Sequence, residues 1–458
     1  MNKTQSLQIH FLGASGTVTG SKYLLKCPGC TILVDCGLFQ GLKKLRELNW
    51  QQLPVSASDI DYVLLTHGHL DHTGFLPRLV RMGFKGDIWG TPPTLDITEI
   101  ILRDSAKIQE EDAERANKKG FTKHSPAEPL YDTPDVEKTL QFFKPRPAEG
   151  WIKINQHVRM RFRYAGHILG ATFIELEVNG KRLVFSGDVG RKNDFLLKDP
   201  AKPEGADILF LESTYGDRIH PEQNTLNKLK EVIQQTTDQG GTLIIPSFAV
   251  ERAQLLMYLI YLLHLEESVS PSLQVILDSP MAISALSVFR KHPGWHKLDE
   301  QQCIGMTERV TAVQSFSETI EIIHDPKPKI IIAGSGMVGG GRVLSYLEQT
   351  IGKEETTILL AGFQAEGTRG RQLMEGADEI KFFGEYHKVK ARVDMLQGLS
   401  AHADRDGLLD WISEIKEPPA RLFLTHGEPH ALDALRVKIH NDLGWEPEIP
   451  ELYDIVDI

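Results

Sequence analysis

Residues 66–72 (Thr-His-Gly-His-Leu-Asp-His) place three histidines and one aspartate within six positions. They follow the apolar run 61–65, which has the composition of a buried strand. In an extended backbone, side chains two positions apart point to the same side, so His67 and His69 can reach one common point. Imidazole nitrogens and carboxylate oxygens are ligands of zinc, and manganese and iron accept the same set. This spacing predicts a metal site directly after a strand.

Further histidines and carboxylates stand at turns and strand ends later in the chain. The seven predicted ligands are His67, His69 and His167 for one metal, Asp71, His72 and His426 for a second metal, and Asp188 as the bridge between them. Two metal ions held about 3.5–4 Å apart stabilise both the attacking and the leaving oxygen of a displacement and lower the pKa of a bound water toward neutrality. The ligand set therefore predicts metal-assisted hydrolysis with two zinc ions, or manganese or iron in their place.

Two features lie close to this motif in the sequence. Asp35 ends a predicted strand, and we expect it to hold the metal loop through hydrogen bonds rather than bind the metal itself. Residues 27–30 (Cys-Pro-Gly-Cys) form either a simple hairpin turn, for which Pro-Gly suffices, or a redox or zinc element. The turn is the favoured interpretation, because the chain has only four cysteines and no second Cys-x-x-Cys pair.

Composition limits the class of protein. The 458 residues have 41% hydrophobic and 25% charged side chains, which predicts two to three globular domains. There is no apolar run of the roughly 18 residues that a membrane span needs and no signal-peptide core, so we expect a cytoplasmic protein with no membrane partner. The 51 basic and 62 acidic residues give a net charge of −11, which argues against a broad basic surface but permits a local basic cleft.

The pattern changes after residue 216. Short apolar strands at 242–245, 274–277, 329–332 and 357–360 alternate with helical segments, which predicts a parallel sheet with helices on its faces. The glycine-rich turn 334–342 can bring backbone N–H groups close to a phosphate, although glycines also serve simply to turn a chain. The predicted phosphate contacts are Ser335, Ser400, Arg252 and Arg342.

The last part of the chain returns to the earlier pattern. Residues 389–394 are predicted to form a strand that leads to Ser-Ala-His-Ala-Asp at 400–404. Another strand, 420–424, ends in Thr-His-Gly, the same three residues as at 66–68. We therefore divide the chain into a first domain segment, 1–216, an inserted domain, 217–395, and a C-terminal segment, 396–458, which completes the first domain.

The whole motif set is similar to that of the metallo-β-lactamase superfamily, and the gap of 238 residues between Asp188 and His426 resembles the insertion of its β-CASP nucleases. That group contains the mRNA 3′-end cleavage factors and their prokaryotic relatives. The resemblance covers essentially the whole chain and implies an α/β fold, an αββα sandwich with an inserted parallel-sheet β-CASP domain. It also implies a metal-dependent ribonuclease acting on single-stranded RNA, because a histidine at the last motif goes with RNA substrates in that family.

The resemblance assigns roles to three further positions. Glu212, in Glu-Ser-Thr-Tyr-Gly, and His402 match the family's acidic residue and histidine, and together with Asp71 they are the predicted catalytic residues. A carboxylate that orients His402 keeps it protonated and able to donate to the leaving oxygen, while a hydroxide generated at the metal pair attacks phosphorus. Endonuclease and 5′-exonuclease action both stay open, and a homodimer is expected because dimers are common among relatives.

Two other functions compete with this interpretation. A hydrolase of small esters, thioesters or lactams would use the same metal core, but it has no need of the long insertion or of Glu212 and His402. A catalytically silent RNA-binding subunit typically loses metal ligands, whereas this chain keeps all seven. The nuclease is the leading hypothesis.

Overall fold

The computed structural model describes residues 7–119, 124–221, 224–362, 364 and 367–458. The described residues divide into two compact units, of which unit 1 combines Met1–Ile219 with His402–Ile458 and unit 2 is His220–Ala401. The predicted domain boundaries, 1–216, 217–395 and 396–458, stay a prediction.

The described residues form the following strands and α-helices. The strands are β1 (Gln8–Phe11), β2 (Tyr23–Cys27), β3 (Cys30–Val34), β4 (Tyr62–Leu64), β5 (Asp87–Gly90), β6 (Phe143–Pro145), β7 (Ile152–Lys153), β8 (Val158–Tyr164), β9 (Thr172–Val178), β10 (Lys181–Phe185), β11 (Ile208–Glu212), β12 (Thr242–Pro246), β13 (Gln274–Asp278), β14 (Val310–Ala312), β15 (Lys329–Ala333), β16 (Thr357–Leu360), β17 (Glu379–Phe382), β18 (Glu385–Lys388), β19 (Arg392–Met395), β20 (Arg421–Thr425), β21 (Pro447–Glu448) and β22 (Ile455–Asp457). The helices are α1 (Lys43–Leu48), α2 (Leu70–Thr73), α3 (Leu76–Arg81), α4 (Pro92–Lys119), α5 (Thr133–Leu140), α6 (Thr225–Asp238), α7 (Arg252–Leu265), α8 (Pro280–Lys291), α9 (Glu300–Glu308), α10 (Phe316–His324), α11 (Val343–Thr350), α12 (Arg369–Met374), α13 (Arg405–Ile412) and α14 (Pro429–Leu443).

Unit 1 is built on two mixed sheets that pack face to face. Their strand orders are β22-β1-β2-β3-β4-β5-β6 and β21-β20-β11-β10-β9-β8-β7. Alternate residues of β8, Val158, Met160 and Phe162, point inward and are fully buried, as the two-residue period of a strand requires. They join a core that also holds Phe185 and Phe210, whose rings stack 4.1 Å apart. Apolar burial between the sheets is therefore what holds the sandwich together.

Helices cover the outer faces of both sheets. The first sheet packs against residues of α3, α4 and α5, including the buried Leu79, Leu102 and Val136. The second sheet packs against α13 and α14, where Trp411 is buried and its Nε1 donates to the carbonyl of Ala201 at 2.7 Å. The four layers, helix, sheet, sheet and helix, confirm the predicted αββα sandwich.

Parallel neighbours bring several strand ends of unit 1 to the same edge. In the first sheet β3 pairs in parallel with β4, so Asp35 and the segment 65–69 follow adjacent strands. In the second sheet β10, β11 and β20 are parallel neighbours. Because the carboxyl ends of parallel strands lie together, Asp188 and His426 emerge beside Glu212, the last residue of β11.

Unit 2 contains a six-stranded sheet in the order β14-β13-β15-β12-β16-β19, and all of its pairings are parallel. This confirms the parallel sheet predicted from the four apolar strands. The strand expected at 389–394 is present as β19, but it begins three residues later than expected, at Arg392. The N–H groups of Lys390 and Ala391 both donate to the carbonyl of Ile351, so this stretch of backbone leaves the sheet.

In the part of the chain that the structure describes, no helix combines the length and the apolar character needed to cross a bilayer.

Candidate metal centre

The ligand-rich segment is shaped by backbone contacts on both sides. After β4 the chain runs through residues 65–69 into α2, and Gly68 lies so close to α4 that a Cβ there would approach Ile97 to 2.6 Å. Residues 36–38 run beside 70–72, since the N–H groups of Cys36 and Leu38 donate to the carbonyls of His72 and Leu70 at 2.7 and 3.1 Å. These contacts set the position of α2, which carries two of the predicted ligands.

A first group of donor atoms belongs to residues that follow β4, β8 and β10 in the sequence. His67 Nε2 and His167 Nε2 lie 3.1 and 3.2 Å from His69 Nδ1. Both Nε2 atoms also lie 3.4 Å from Oδ2 of Asp188. Three imidazole nitrogens and one carboxylate oxygen therefore converge, in a set that is able to hold a metal ion.

A second group lies on the other side of Asp188. His72 Nε2 and His426 Nε2 are 3.1 Å apart, and His426 Nε2 is 3.4 Å from Oδ2 of Asp71. His72 Nε2 is 3.3 Å from Oδ1 of Asp188, whose Oδ2 faces the first group. The structure thus brings all seven predicted ligands together, with Asp188 between the two groups.

The hydrogen bonds around the rings make these groups fit divalent metals. Thr66 Oγ1 donates to Asp35 at 2.9 Å and so accepts from Nδ1–H of His67 at 3.1 Å, while Nδ1–H of His72 donates to Asp35 at 2.7 Å. Nδ1–H of His426 points to Thr214 Oγ1 at 3.2 Å. Burial lowers the pKa of His67 well below its usual value, so its Nε2 carries a lone pair. This lone pair faces His69 Nδ1 and Asp188 Oδ2, which is repulsive without a cation between them.

The spacing of the donor atoms agrees with this conclusion. Four ligands about 2.0–2.1 Å from a tetrahedral zinc lie about 3.3–3.4 Å from one another. The nitrogen and oxygen atoms of the first group are separated by 3.1 to 3.4 Å. A divalent metal therefore fits the donor set in both chemistry and size.

Burial and neighbouring charges shift the pKa values of the ligands. Burial lowers the pKa of His69 to about 4, so this ring is neutral at pH 7 and able to bind a metal. Burial by itself raises the pKa of Asp188, but His426 and His72 outweigh it and hold that pKa well below its usual value. Burial also lowers the pKa of His72, yet Asp188 and Asp35 raise it well above the usual value overall. Asp188 is therefore ionised at neutral pH.

Asp35 takes the supporting position expected from the sequence. Its carboxylate accepts hydrogen bonds from the backbone N–H and the hydroxyl of Thr66 and from His72 Nδ1–H, and it is buried. It touches His72 from the side opposite to the metal-facing Nε2. Orientation of a ligand ring by a carboxylate in this way strengthens metal binding.

Glu212 and His402 form a pair beside Asp188. Nδ1 of His402 lies 3.2 Å from Oε1 of Glu212, which leaves Nε2 facing Oδ2 of Asp188 at 3.9 Å. Glu212 is held by the N–H groups of Val189 and Thr214, at 2.7 and 3.2 Å. Burial lowers the pKa of His402, but Glu212, together with Asp188 and Asp71, outweighs it and raises that pKa to about 9. His402 is therefore protonated at neutral pH.

The predicted phosphate contacts lie in unit 2. Arg342 makes a 2.9 Å ion pair with the buried Asp278, and Ser335 Oγ accepts from the N–H of Gly339 at 3.0 Å. Arg252 is buried and donates to the carbonyl of Ala361. Ser400 lies near the end of this unit, and phosphate binding by all four residues stays a prediction.

Two residues of the centre were missed by the sequence analysis. Thr66 contacts Asp35 and His67, and Thr214 contacts His426. Thr66 stands next to the predicted ligand His67, and Thr214 lies two residues after Glu212. These positions could have pointed to them, but threonine is common in turns and its hydroxyl alone does not indicate a function.

Three family models match the chain. The model of the metallo-β-lactamase superfamily matches residues 16–238, the β-CASP domain matches 253–373, and the Zn-dependent metallo-hydrolase RNA specificity domain matches 386–450. A solved structure described as a protein of unknown function from Enterococcus faecalis V583 has the same fold, with a TM-score of 0.57 and 14% identity over 99% of this chain and 100% of that one.

The chain is also similar to proteins with assigned functions. Ribonuclease TTHA0252 of Thermus thermophilus is 34% identical over 92% of this chain and 94% of its own length. The transcription termination factors FttA of Methanosarcina mazei and Methanocaldococcus jannaschii are each 30% identical, over 97% and 94% of this chain and 70% and 72% of their lengths. These matches confirm the resemblance seen in the motifs: the chain belongs to the β-CASP RNA nuclease family of the metallo-β-lactamase superfamily.

Proposed function

We propose that this protein is a metal-dependent ribonuclease that hydrolyses phosphodiester bonds of single-stranded RNA. The observation that supports it most is the adjacency of three groups: two sets of imidazole and carboxylate donors that share Asp188, and the Glu212–His402 pair beside them. Hydrolysis of a phosphodiester needs charge stabilisation at phosphorus and a proton for the leaving oxygen. The two donor sets and His402 supply these separately.

We propose two zinc ions as the metals. His67, His69, His167 and Asp188 would hold one ion, and Asp71, His72, His426 and Asp188 the other. Two such ions, when bound, would lower the pKa of the attacking water and neutralise charge on the phosphate. Nitrogen-rich ligand sets with few carboxylates favour zinc, although manganese and iron accept the same donors.

The residues of the chain then have distinct tasks. Glu212 accepts from His402 Nδ1–H and so orients the ring with its Nε2–H toward the centre. As the bond between phosphorus and the leaving oxygen breaks, His402 Nε2 gives its proton to that oxygen. Asp71 is the more exposed carboxylate of the ligand set, with 19% of its side chain accessible, and we propose that it accepts a hydrogen bond from the attacking water.

RNA is the proposed substrate because of the family to which the chain belongs and the histidine at position 426. Ser335, Ser400, Arg252 and Arg342 are the proposed phosphate contacts. Endonuclease and 5′-exonuclease action are both compatible with the centre. We also propose a cytoplasmic location. We further propose a homodimer, which light scattering of the purified protein tests directly.

A cleavage assay on 5′-labelled single-stranded RNA tests the proposal. We expect the wild type to cut the RNA and His402→Ala to lose roughly 10²- to 10⁴-fold in rate while it keeps its metal, the range typical of a lost general acid. A released mononucleotide label indicates 5′-exonuclease action, and internal fragments indicate an endonuclease. His430→Ala is the matched control, because His430 lies outside the donor sets.

The same protein is also offered a small ester. If the metal-loaded wild type leaves RNA intact and hydrolyses the ester, the ribonuclease is refuted and a small-molecule hydrolase takes its place. If His402→Ala cuts RNA at the wild-type rate, the proton-donor role of His402 is wrong even if the ribonuclease stands.

A further inference from the structure

Lys22 is buried immediately behind the ligand-bearing segment. It is only 2% exposed, and its Nζ donates to the carbonyl of Gly37 at 2.6 Å. The ammonium also lies 4.5 Å from the ring centre of Phe39 and 5.1 Å from that of Phe75. A lysine in this position is unusual, since lysines are almost never fully buried unless they are paired.

The surroundings of Lys22 explain how the charge is tolerated. Within the described ranges, no carboxylate lies at ion-pair distance from Nζ, so the carbonyl of Gly37 and the two aromatic faces are its partners. Burial lowers the pKa of Lys22 to about 8, and the amine is still protonated at neutral pH. A buried cation without a carboxylate is costly, which points to a task other than filling the core.

Gly37 connects Lys22 to the metal centre. Its N–H donates to the carbonyl of Ser21 at 3.0 Å, and the N–H of Ser21 donates to the carbonyl of Asp71 at 2.9 Å. A Cβ on Gly37 would lie 1.5 Å from the carbonyl oxygen of Asp71, so the two backbones are in direct contact. The neighbouring Cys36 binds the backbone of His72 in the same way.

Residues 36–38 therefore act as a backbone template for residues 70–72. Within the template Cys36 and Leu38 have buried side chains, whereas Gly37 has none and is held through its backbone. The carbonyl of Gly37 accepts a hydrogen bond from the ammonium of Lys22. The lysine thus ties Gly37 of the template to the segment directly before β2.

We propose that Lys22 is a positioning residue for the metal centre: it fixes residues 36–38 so that Asp71 and His72 are held in the ligating arrangement before a metal arrives. This inference rests on the proposed metal-dependent function. It assigns Lys22 no contact with substrate or with the reacting atoms. Its effect is transmitted through Gly37 and the backbone of residues 70–72.

Zinc affinity and amide hydrogen exchange test the proposal, with Lys22→Met removing the ammonium and Lys22→Arg restoring a cation with N–H donors. We expect Lys22→Met to bind the more weakly held zinc roughly tenfold less tightly or worse, as when supporting contacts of a metal site are lost. In the metal-free variant the amides of residues 36–38 should exchange faster, and Lys22→Arg should recover most of both properties.

Lys329→Met is the matched control. Lys329 is also 2% exposed and donates to the carbonyls of Ile322 and Asp325, but it lies in unit 2. We expect this variant to lose stability without any change in zinc affinity or in exchange at residues 36–38. Equal zinc affinity in Lys22→Met and the wild type would overturn the proposal and leave Lys22 as a core residue.

If Lys22→Met does not fold, the metal-free wild type decides the question. The amides of Cys36, Gly37 and Leu38 should then exchange as slowly as those of β2, and rapid exchange would overturn the proposal. These readouts do not involve RNA. A wild type that binds two zinc ions but cuts no RNA would therefore refute the ribonuclease without touching the role of Lys22.

Discussion

Replacement of Glu212 by glutamine is expected to move the pH dependence of RNA cleavage. The change keeps the shape of the side chain and removes the negative charge 3.2 Å from His402 Nδ1. Burial lowers the pKa of His402, and Glu212 is the group that contributes most to raising it to about 9. Without that carboxylate, the pKa of His402 should fall toward its ordinary value of 6.5.

The size of the effect follows from the protonated fraction of His402. At pH 8 this fraction is about 90% for a pKa of about 9 and about 3% for a pKa of 6.5, so Glu212→Gln should cleave RNA about 30-fold more slowly from this cause alone. At pH 6 the variant is again mostly protonated, and its deficit should shrink to less than about twofold. The alkaline limb of the rate profile should therefore move down from about pH 9.

The assay is a single-turnover cleavage rate on labelled RNA from pH 5.5 to 10, at saturating metal. Glu175→Gln is the matched control, since Glu175 is an equally buried carboxylate of unit 1 that pairs with Arg161 at 2.5 Å instead of with His402. That variant should keep the wild-type profile. Identical profiles for wild type and Glu212→Gln would refute the acid role of His402 and the reasoning behind it.

Three further changes test the metal centre and the fold. Asp35→Asn removes the carboxylate that orients His72 and should weaken zinc binding roughly 10- to 100-fold in a competition titration; unchanged affinity would contradict its supporting role. Removal of the metals by a chelator should lower the melting temperature, because a ligand at 100 times its Kd stabilises the folded form by about 2.7 kcal/mol; an unchanged melting curve would argue against the site. Trp411→Ala should reduce the free energy of unfolding of unit 1 by about 3–5 kcal/mol in denaturant titrations, and a loss below about 1 kcal/mol would mean that the α13 packing is not needed.

The arrangement of the candidate site could be anticipated because most of its members stand at strand ends. Asp188 and His426 are more than two hundred residues apart in the sequence. Together with Glu212 they nevertheless lie at the carboxyl ends of three neighbouring parallel strands. The alternation of apolar strands and helices likewise predicted the parallel sheet of unit 2. These features could be predicted because each strand is a short apolar run in the sequence and the polar residues that follow it mark its end.

Other features depend on contacts that leave no local signal. Lys22 looks like a surface residue at the start of a strand, and only the fold places it under Phe39 and Phe75. Arg342 was expected to bind phosphate, and nothing near it in the sequence indicates its ion pair with Asp278, 64 residues earlier. The strand expected at 389–394 begins only at Arg392, because the N–H groups of Lys390 and Ala391 donate to Ile351, which a period-two pattern cannot show.

The central claim is that two metals, shared through Asp188, are needed for RNA cleavage. The most direct test is to add zinc stepwise to the metal-free protein and to measure bound zinc and the RNA cleavage rate in the same samples. We predict that cleavage rises with the second equivalent bound per chain and is absent when no metal is bound. Full cleavage with one equivalent, or with none, would contradict the account.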